Sequence, residues 1–229
     1  MKIAVIMPTR SANGKRGPSA KEAFDSWKET RTTSDFFYGV DEDDVANYKI
    51  PTDAKTIMMP RMKLVPKLND MCGCLIAQNT YTHVLFIGDD HRFRTSDWES
   101  MAEDKTQIAY GNDLLQGEKL PTAVLVSLDI VNALGYMCPP IIEHMYADNF
   151  WLDLGRECSI IKYHPEVVIE HMHFSIGKSA PDQQYFEVAK LHQKDQIAYE
   201  SYKNTTFQDD VRKVREICAS GLLEQDFTE

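Results

Sequence analysis

Thr82-His83-Val84-Leu85-Phe86-Ile87-Gly88-Asp89-Asp90-His91 is the stretch on which the fold turns. An extended, mostly apolar run stops at a glycine and gives way at once to two carboxylates and an imidazole. A short apolar run bounded in this way reads as a buried strand with a polar cluster at its end. His83, inside the run, reads as a packed or edge residue. The same design recurs upstream. Ile3-Ala4-Val5-Ile6-Met7 closes on Pro8-Thr9-Arg10, and Asp35-Phe36-Phe37-Tyr38-Gly39-Val40 closes on Asp41-Glu42-Asp43-Asp44. Thr56 to Met59 is a short further strand. Residues 20–30 carry Ala23, Phe24 and Trp27 at helical spacing, and residues 64–79 read as a second helix. The order strand, helix, strand, strand, helix, strand predicts an α/β fold with a mostly parallel sheet covered by helices. Ligands of such sheets sit beyond the carboxyl ends of the strands.

The second half is less regular. Residues 122–127 predict a strand, 129–134 a short helix and 148–156 a longer one. Residues 160–163 and 167–169 predict two short strands. From Gln183 to Leu223 the pattern is helical and charged, with Gly221 as its cap. No repeat or linker interrupts the chain. We therefore expect one domain over residues 1–180, with a helical extension over 181–229 packed on it.

The bulk numbers narrow the function. The chain has 229 residues and a net charge of -10. That balance leans against a nucleic-acid backbone as ligand, which needs clustered Lys and Arg. Five cysteines, an odd number without zinc-ribbon spacing, predict free and mostly buried thiols in a reducing cytoplasm. No run approaches the roughly 18 apolar residues of a membrane span, and no signal-peptide layout opens the chain.

Five groups of residues carry candidate chemistry. In Gly88-Asp89-Asp90-His91 the glycine allows close approach, and the acids with the imidazole suit Mg²⁺ or Mn²⁺. The competing reading is a solvated turn. In Glu170-His171-Met172-His173, strand alternation puts His171 and His173 on one face, able to ligate a metal or hold phosphate; a surface pair without function is the alternative. Asp148 precedes a helix and reads as an N-terminal cap or as a general base. Lys67 and Asn69 open another helix, within reach of a nucleotide or merely solvated. Arg92, Arg94 and Trp98 line a sugar or acceptor, or simply pack.

Taken in order, these motifs resemble the GT-A glycosyltransferases, and within them the broad family 2-like group. Pro8-Thr9-Arg10 looks like the group's first nucleotide-binding loop. Asp41 and Asp43 stand where such enzymes place a base-recognising carboxylate. Lys67-Leu68-Asn69 matches a basic residue followed by Asn at a helix start. Leu85-Phe86-Ile87-Gly88-Asp89-Asp90-His91 resembles the DXD region, and Gly135-Tyr136-Met137 the turn before the acceptor site. Ala147-Asp148-Asn149-Phe150-Trp151-Leu152 resembles the acidic motif that holds the catalytic base. His171 or His173 resembles the late histidine of the metal site. More narrowly, residues 88–95, 110–118 and 170–173 look like a subgroup of bacterial and bacteriophage-encoded proteins. The resemblance covers residues 1 to about 180.

It implies a GT-A-like (Rossmann-like) fold and transfer of a sugar from a nucleoside-diphosphate sugar, UDP-sugar favoured, to a hydroxyl. It further implies Mn²⁺ or Mg²⁺ as cofactor and inversion with Asp148 as base. Thr9, Arg10, Asp41, Asp43, Lys67, Asn69 and Asp89 would hold the donor; Asp90, His91, His171 and His173 would hold the metal. The usual motif has its acids two apart. Here either Asp90 holds the metal and Asp89 touches ribose or sugar, or the register is Asp89-X-His91. The acceptor is not legible: protein, glycan, small molecule or modified DNA base all fit. Two other classes are compatible. One is a metal-dependent nucleotidyltransferase, with Ser11-Ala12-Asn13-Gly14-Lys15-Arg16-Gly17 as phosphate loop. The other is a non-catalytic nucleotide- or glycan-binding protein on the same fold.

Overall fold

The computed structural model describes residues 1–11, 17–104, 106–179 and 190–225. Eight strands form one sheet: β1 (Ile3–Pro8), β2 (Asp35–Asp41), β3 (Lys55–Met59), β4 (His83–Phe86), β5 (His91–Phe93), β6 (Ile108–Asn112), β7 (Val124–Ser127) and β8 (Ile161–His171). The order is β3-β2-β1-β4-β7-β6-β8-β5. β1 to β4 are mutually parallel, β7 runs against β4 and β6, and β8 is parallel to β6. β5 returns antiparallel to β8. Among the described residues the α-helices are α1 (Gly17–Thr30), α2 (Leu64–Gln78), α3 (Leu128–Leu134), α4 (Ala147–Cys158), α5 (His192–Thr205) and α6 (Phe207–Gln225). The sheet is thus the mostly parallel, helix-flanked one that the alternating pattern predicts.

Alternation along β1 sorts its side chains onto two faces. Ile3, Val5 and Met7 pack with Ala20, Ala23, Phe24 and Trp27 of α1. Ala4 and Ile6 pack with Val65, Leu68, Met71 and Leu75 of α2. Both faces of the central strands are therefore apolar, which is why they read as unbroken hydrophobic runs. The second layer also receives Phe150, Trp151 and Leu154 of α4, with Tyr199, Tyr202, Phe207, Val211 and Val214 of α5 and α6. The C-terminal helices thus share the domain's own core.

Several local expectations need correction. The two short strands around residues 160–169 are one strand, β8, which runs through Pro165. The ladder with β6 jumps from Gly111 opposite His164 to Asn112 opposite Val168, so the proline sits in a bulge, where a missing N–H is tolerated. Gly111 lets the bulge approach: a Cβ there would lie 2.5 Å from the Val167 carbonyl oxygen. α6 continues through Gly221 to Gln225 instead of ending there. Residues 183–189 of the expected helical stretch lie outside the described residues. The cysteines are unpaired, but only Cys72 and Cys138 are buried, and Cys74 is exposed. Among the described residues, no helix is long and apolar enough to cross a membrane.

Candidate active site

β4 ends beside β1 in the middle of the sheet, and the Gly88–His91 turn follows it directly. Gly88 is required for space. A Cβ on it would sit 2.6 Å from Asp90 Oδ1 and 3.2 Å from His91 Nδ1. The turn sends its two carboxylates in different directions. Asp89 Oδ2 accepts the Thr9 hydroxyl at 2.9 Å, toward the end of β1. Asp90 faces two imidazoles, with Oδ1 3.4 Å from His91 Nδ1 and Oδ2 3.3 Å from His171 Nε2.

Strand pairing builds the second half of this cluster. His91 and His171 are direct partners in the β5–β8 ladder, and their rings stack with centroids 4.4 Å apart. The Met172 N–H donates to the Asp90 carbonyl oxygen at 2.7 Å, which fixes the turn to the end of β8. One ligand atom each from Asp90, His91 and His171 falls within 4.8 Å of the others. His91 Nε2 and His171 Nδ1 are buried without a hydrogen-bond partner. Burial would raise the Asp90 carboxyl, but hydrogen bonds from His171 and His91 hold it well below the usual carboxylate range. Burial, with His171 as a like charge beside it, pushes His91 down. His171 rises against its burial because Asp90 faces it. A compact carboxylate and two imidazoles with unused buried nitrogen fit a divalent cation. His173 stands apart from the three-residue cluster. Its Nδ1 accepts the Ser175 N–H at 3.2 Å, and its ring lies edge-on to His171 at 5.1 Å.

On the β1–β2 side, positive side chains converge on Asp41. This carboxylate is fully buried and receives Lys67 Nζ at 2.5 Å and Arg10 Nε at 3.0 Å, with Arg61 Nη1 at 3.5 Å. Burial lowers the Lys67 ammonium despite Asp41, with Arg10 and Arg61 acting in the same direction. Asp43, on the exposed side, is gripped by Arg61 through both oxygens, at 2.8 and 2.9 Å. Asp44 takes the N–H and hydroxyl of Ser11. Tyr48, which the sequence reading passed over, bonds the Thr9 hydroxyl at 3.0 Å.

On the other side of the cluster stands Asp148, in the first turn of α4. Burial raises its carboxyl, while its own N–H and that of Asn149 pull the other way. It lies within the electrostatic reach of His171 and Asp113. The loop leading to it is held from below. Asp195 of α5, wholly buried, accepts the backbone N–H groups of Glu143, His144 and Met145 at 3.0, 2.8 and 2.8 Å. Asp195→Ala strands all three donors. We expect it to cost about 2–3 kcal/mol, since hydrogen bonds to a charged acceptor are among the stronger ones. Urea denaturation measures this, and unchanged stability would show the clamp to be redundant.

Some expected site residues do other work. Asn69 is bonded to the chain that follows α3. Its Oδ1 accepts the N–H groups of Met137 and Cys138, and its Nδ2 donates to the Cys138 carbonyl oxygen. Its amide thus holds the turn at residues 137–138. Arg92 is buried and ties the Asp89 and His91 carbonyl oxygens to Ser19 and Glu22 of α1. Trp98 is core, and Arg94 pairs with Glu170. Residues 12–16 of the candidate phosphate loop lie outside the described residues.

No family model and no curated protein matches the chain. Solved structures do. S. aureus TarS aligns with a TM-score of 0.52 at 12% identity, over 75% of this chain and 37% of that one. TarS 1–349 in complex with UDP aligns with the same score and identity, over 74% and 59%. The mannosyltransferase PcManGT from Pyrobaculum calidifontis, in complex with GDP-Man and Mn²⁺, aligns at 0.53 and 12% identity, over 99% and 75%. The chain thus spans between 37% and 59% of the length of the TarS chains it matches. The likeness is one of fold.

Proposed function

We propose, for a chain with the GT-A glycosyltransferase fold, that it moves a sugar from a nucleoside-diphosphate sugar, UDP-sugar favoured, to a hydroxyl acceptor in the cytoplasm. The observation that carries this reading is the Asp90–His91–His171 cluster at the end of β4, with the half-buried Asp148 carboxyl beside it. Asp90, His91 and His171 would hold a divalent cation, with His173 at the rim. Two imidazoles in the donor set favour Mn²⁺ over Mg²⁺, which prefers oxygen ligands throughout. When bound, the cation supplies Lewis-acid stabilisation of the charge that grows on the leaving diphosphate.

The protein's own groups do the rest. Thr9 and Asp89 form the wall of the donor pocket nearest the sugar and ribose. Arg10 and Lys67, oriented by Asp41, add positive potential toward the phosphates. Asp41 is occupied by these cations, so Asp43 with Arg61 is better suited to meet the nucleobase edge. Asp148 takes the proton of the acceptor hydroxyl as that oxygen bonds to the anomeric carbon. The bond from that carbon to the diphosphate oxygen breaks, and its electron pair leaves with the nucleoside diphosphate. Attack from the face opposite the leaving group inverts the anomeric centre.

The test is an assay of the purified chain with UDP-, GDP- and TDP-sugars, with Mn²⁺ or with EDTA, reading free nucleoside diphosphate. Release from one donor is expected, abolished by EDTA and in Asp90→Ala. Release that ignores both would sink the cation site, and release of pyrophosphate instead would make the protein a nucleotidyltransferase. Absence of release, with no thermal shift on adding nucleotide and Mn²⁺, would favour a binding protein.

A further inference from the structure

His171 stands between two carboxylates, one facing each ring nitrogen. Nε2 is 3.3 Å from Asp90 Oδ2. Nδ1 is buried without a hydrogen-bond partner, and Asp113 Oδ2 lies 4.0 Å from it. Asp113 is itself almost completely buried and tightly held. Its Oδ1 accepts the N–H groups of Leu115, Gln116 and Gly117 at 2.9, 2.7 and 2.8 Å, and its Oδ2 accepts the Thr122 hydroxyl at 2.7 Å. Its carbonyl oxygen accepts the His171 N–H at 2.9 Å. Asp113 therefore grips the His171 backbone and points a fixed carboxylate at the open side of its ring. The turn it organises holds Leu114 at φ 56, a left-handed conformation that a leucine adopts only when its surroundings impose it.

We propose that Asp113 is the positioning residue of the cation site. A histidine that offers one nitrogen to a cation must carry its proton on the other, and an acceptor facing that nitrogen selects the tautomer and fixes the ring. With a cation bound, the Nδ1–H would point at Asp113 and the Nε2 lone pair would be given to the ion. At 4.0 Å the Asp113 contact is longer than a hydrogen bond. A small rotation of the imidazole closes it when Nε2 takes its cation. This inference rests on the cation reading of Asp90, His91 and His171.

The test is titration of the full chain with Mn²⁺, following the EPR signal of the free ion, for wild type, Asp113→Asn and Thr122→Val. The asparagine keeps an oxygen for the three backbone N–H groups but can offer its amide nitrogen to His171 in place of an acceptor. Asp113→Asn is expected to weaken Mn²⁺ binding on the order of 10- to 100-fold, with its melting temperature unchanged. Thr122→Val removes one donor to the carboxylate but keeps the carboxylate itself, so it should weaken binding less than Asp113→Asn does. Wild-type affinity in Asp113→Asn, or an equal loss in both variants, overturns the role of Asp113 and leaves the cation site standing. A wild type that binds no Mn²⁺ overturns the site itself, and this inference with it. Should Asp113→Asn fail to fold, ¹H–¹⁵N NMR of His171 in the wild type with Zn²⁺, a diamagnetic ion that suits imidazole, decides. An Nδ1–H shifted downfield by a hydrogen bond supports the proposal, and an Nδ1–H without that shift overturns it.

Discussion

Asp148→Asn should keep donor and cation binding and lose sugar transfer by roughly 10²–10⁴-fold, the usual contribution of a general base. The substitution is nearly isosteric. Its amide oxygen can still accept the N–H of Asn149, as the carboxylate does at the start of α4, so the helix start survives. What disappears is a group able to take a proton. Burial raises the Asp148 carboxyl above the ordinary aspartate value, which brings it closer to the working pH and makes it a better base. The sign follows. A base works when deprotonated, so wild-type kcat/KM should climb with pH through this raised pKa, and the acidic limb should vanish from the residual rate of the variant. Turnover equal to wild type would remove Asp148 from the role. NMR of the product anomer checks the same proposal from the other end, since a retained configuration is incompatible with a single displacement assisted by this base.

Asp41→Ala is expected to destabilise the fold by about 3–5 kcal/mol, because removing one partner of a buried ion pair leaves the other charge without compensation. Lys67 is 3% exposed and Asp41 0%. Without Asp41, the Lys67 ammonium would lose its buried partner while Arg10 and Arg61 stayed beside it. Chemical denaturation reads the loss. The double variant Asp41→Asn/Lys67→Met should recover much of it, since neutral groups of similar size replace a buried pair at little cost. It should still bind nucleotide weakly, having lost the cation that Asp41 aims. A single Asp41→Ala protein as stable as wild type would show that the cluster is wet enough to need no internal neutralisation.

How far the sequence carries differs from element to element. β1, β2 and β4 are legible because both their faces are buried, so their central positions are apolar up to the polar cluster that follows each strand. β5 is invisible for the opposite reason. It is three residues long and two of them, His91 and Arg92, are polar, yet it supplies the register that sets His91 against His171. β8 looks like two strands because of Pro165, and only the bulge against Gly111 reconciles that residue with an unbroken ladder. In the site, a pair of acids after a strand is readable from composition. Which acid turns toward histidine and which toward Thr9 depends on the turn after Gly88, and no pattern in the chain encodes it. Strand alternation points to His171 and His173 as a pair. The strand ends at His171, however, and His173 enters a short turn instead. Asp195 and Asp113 are lost in the sequence for a simpler reason. Each sits among other polar residues, and only the folded chain shows which carboxylate is turned inward.

The clamp at Asp195 also orders events in time. A polypeptide leaves the ribosome from its N-terminus, so the sheet, the Asp90 turn and Asp148 all emerge before the residue that holds Glu143, His144 and Met145 in place. A nascent chain stopped short of α5 would leave the loop before Asp148 with three unanswered backbone donors. The half of the site that carries Asp148, the base of the proposed reaction, is thus the last to be braced.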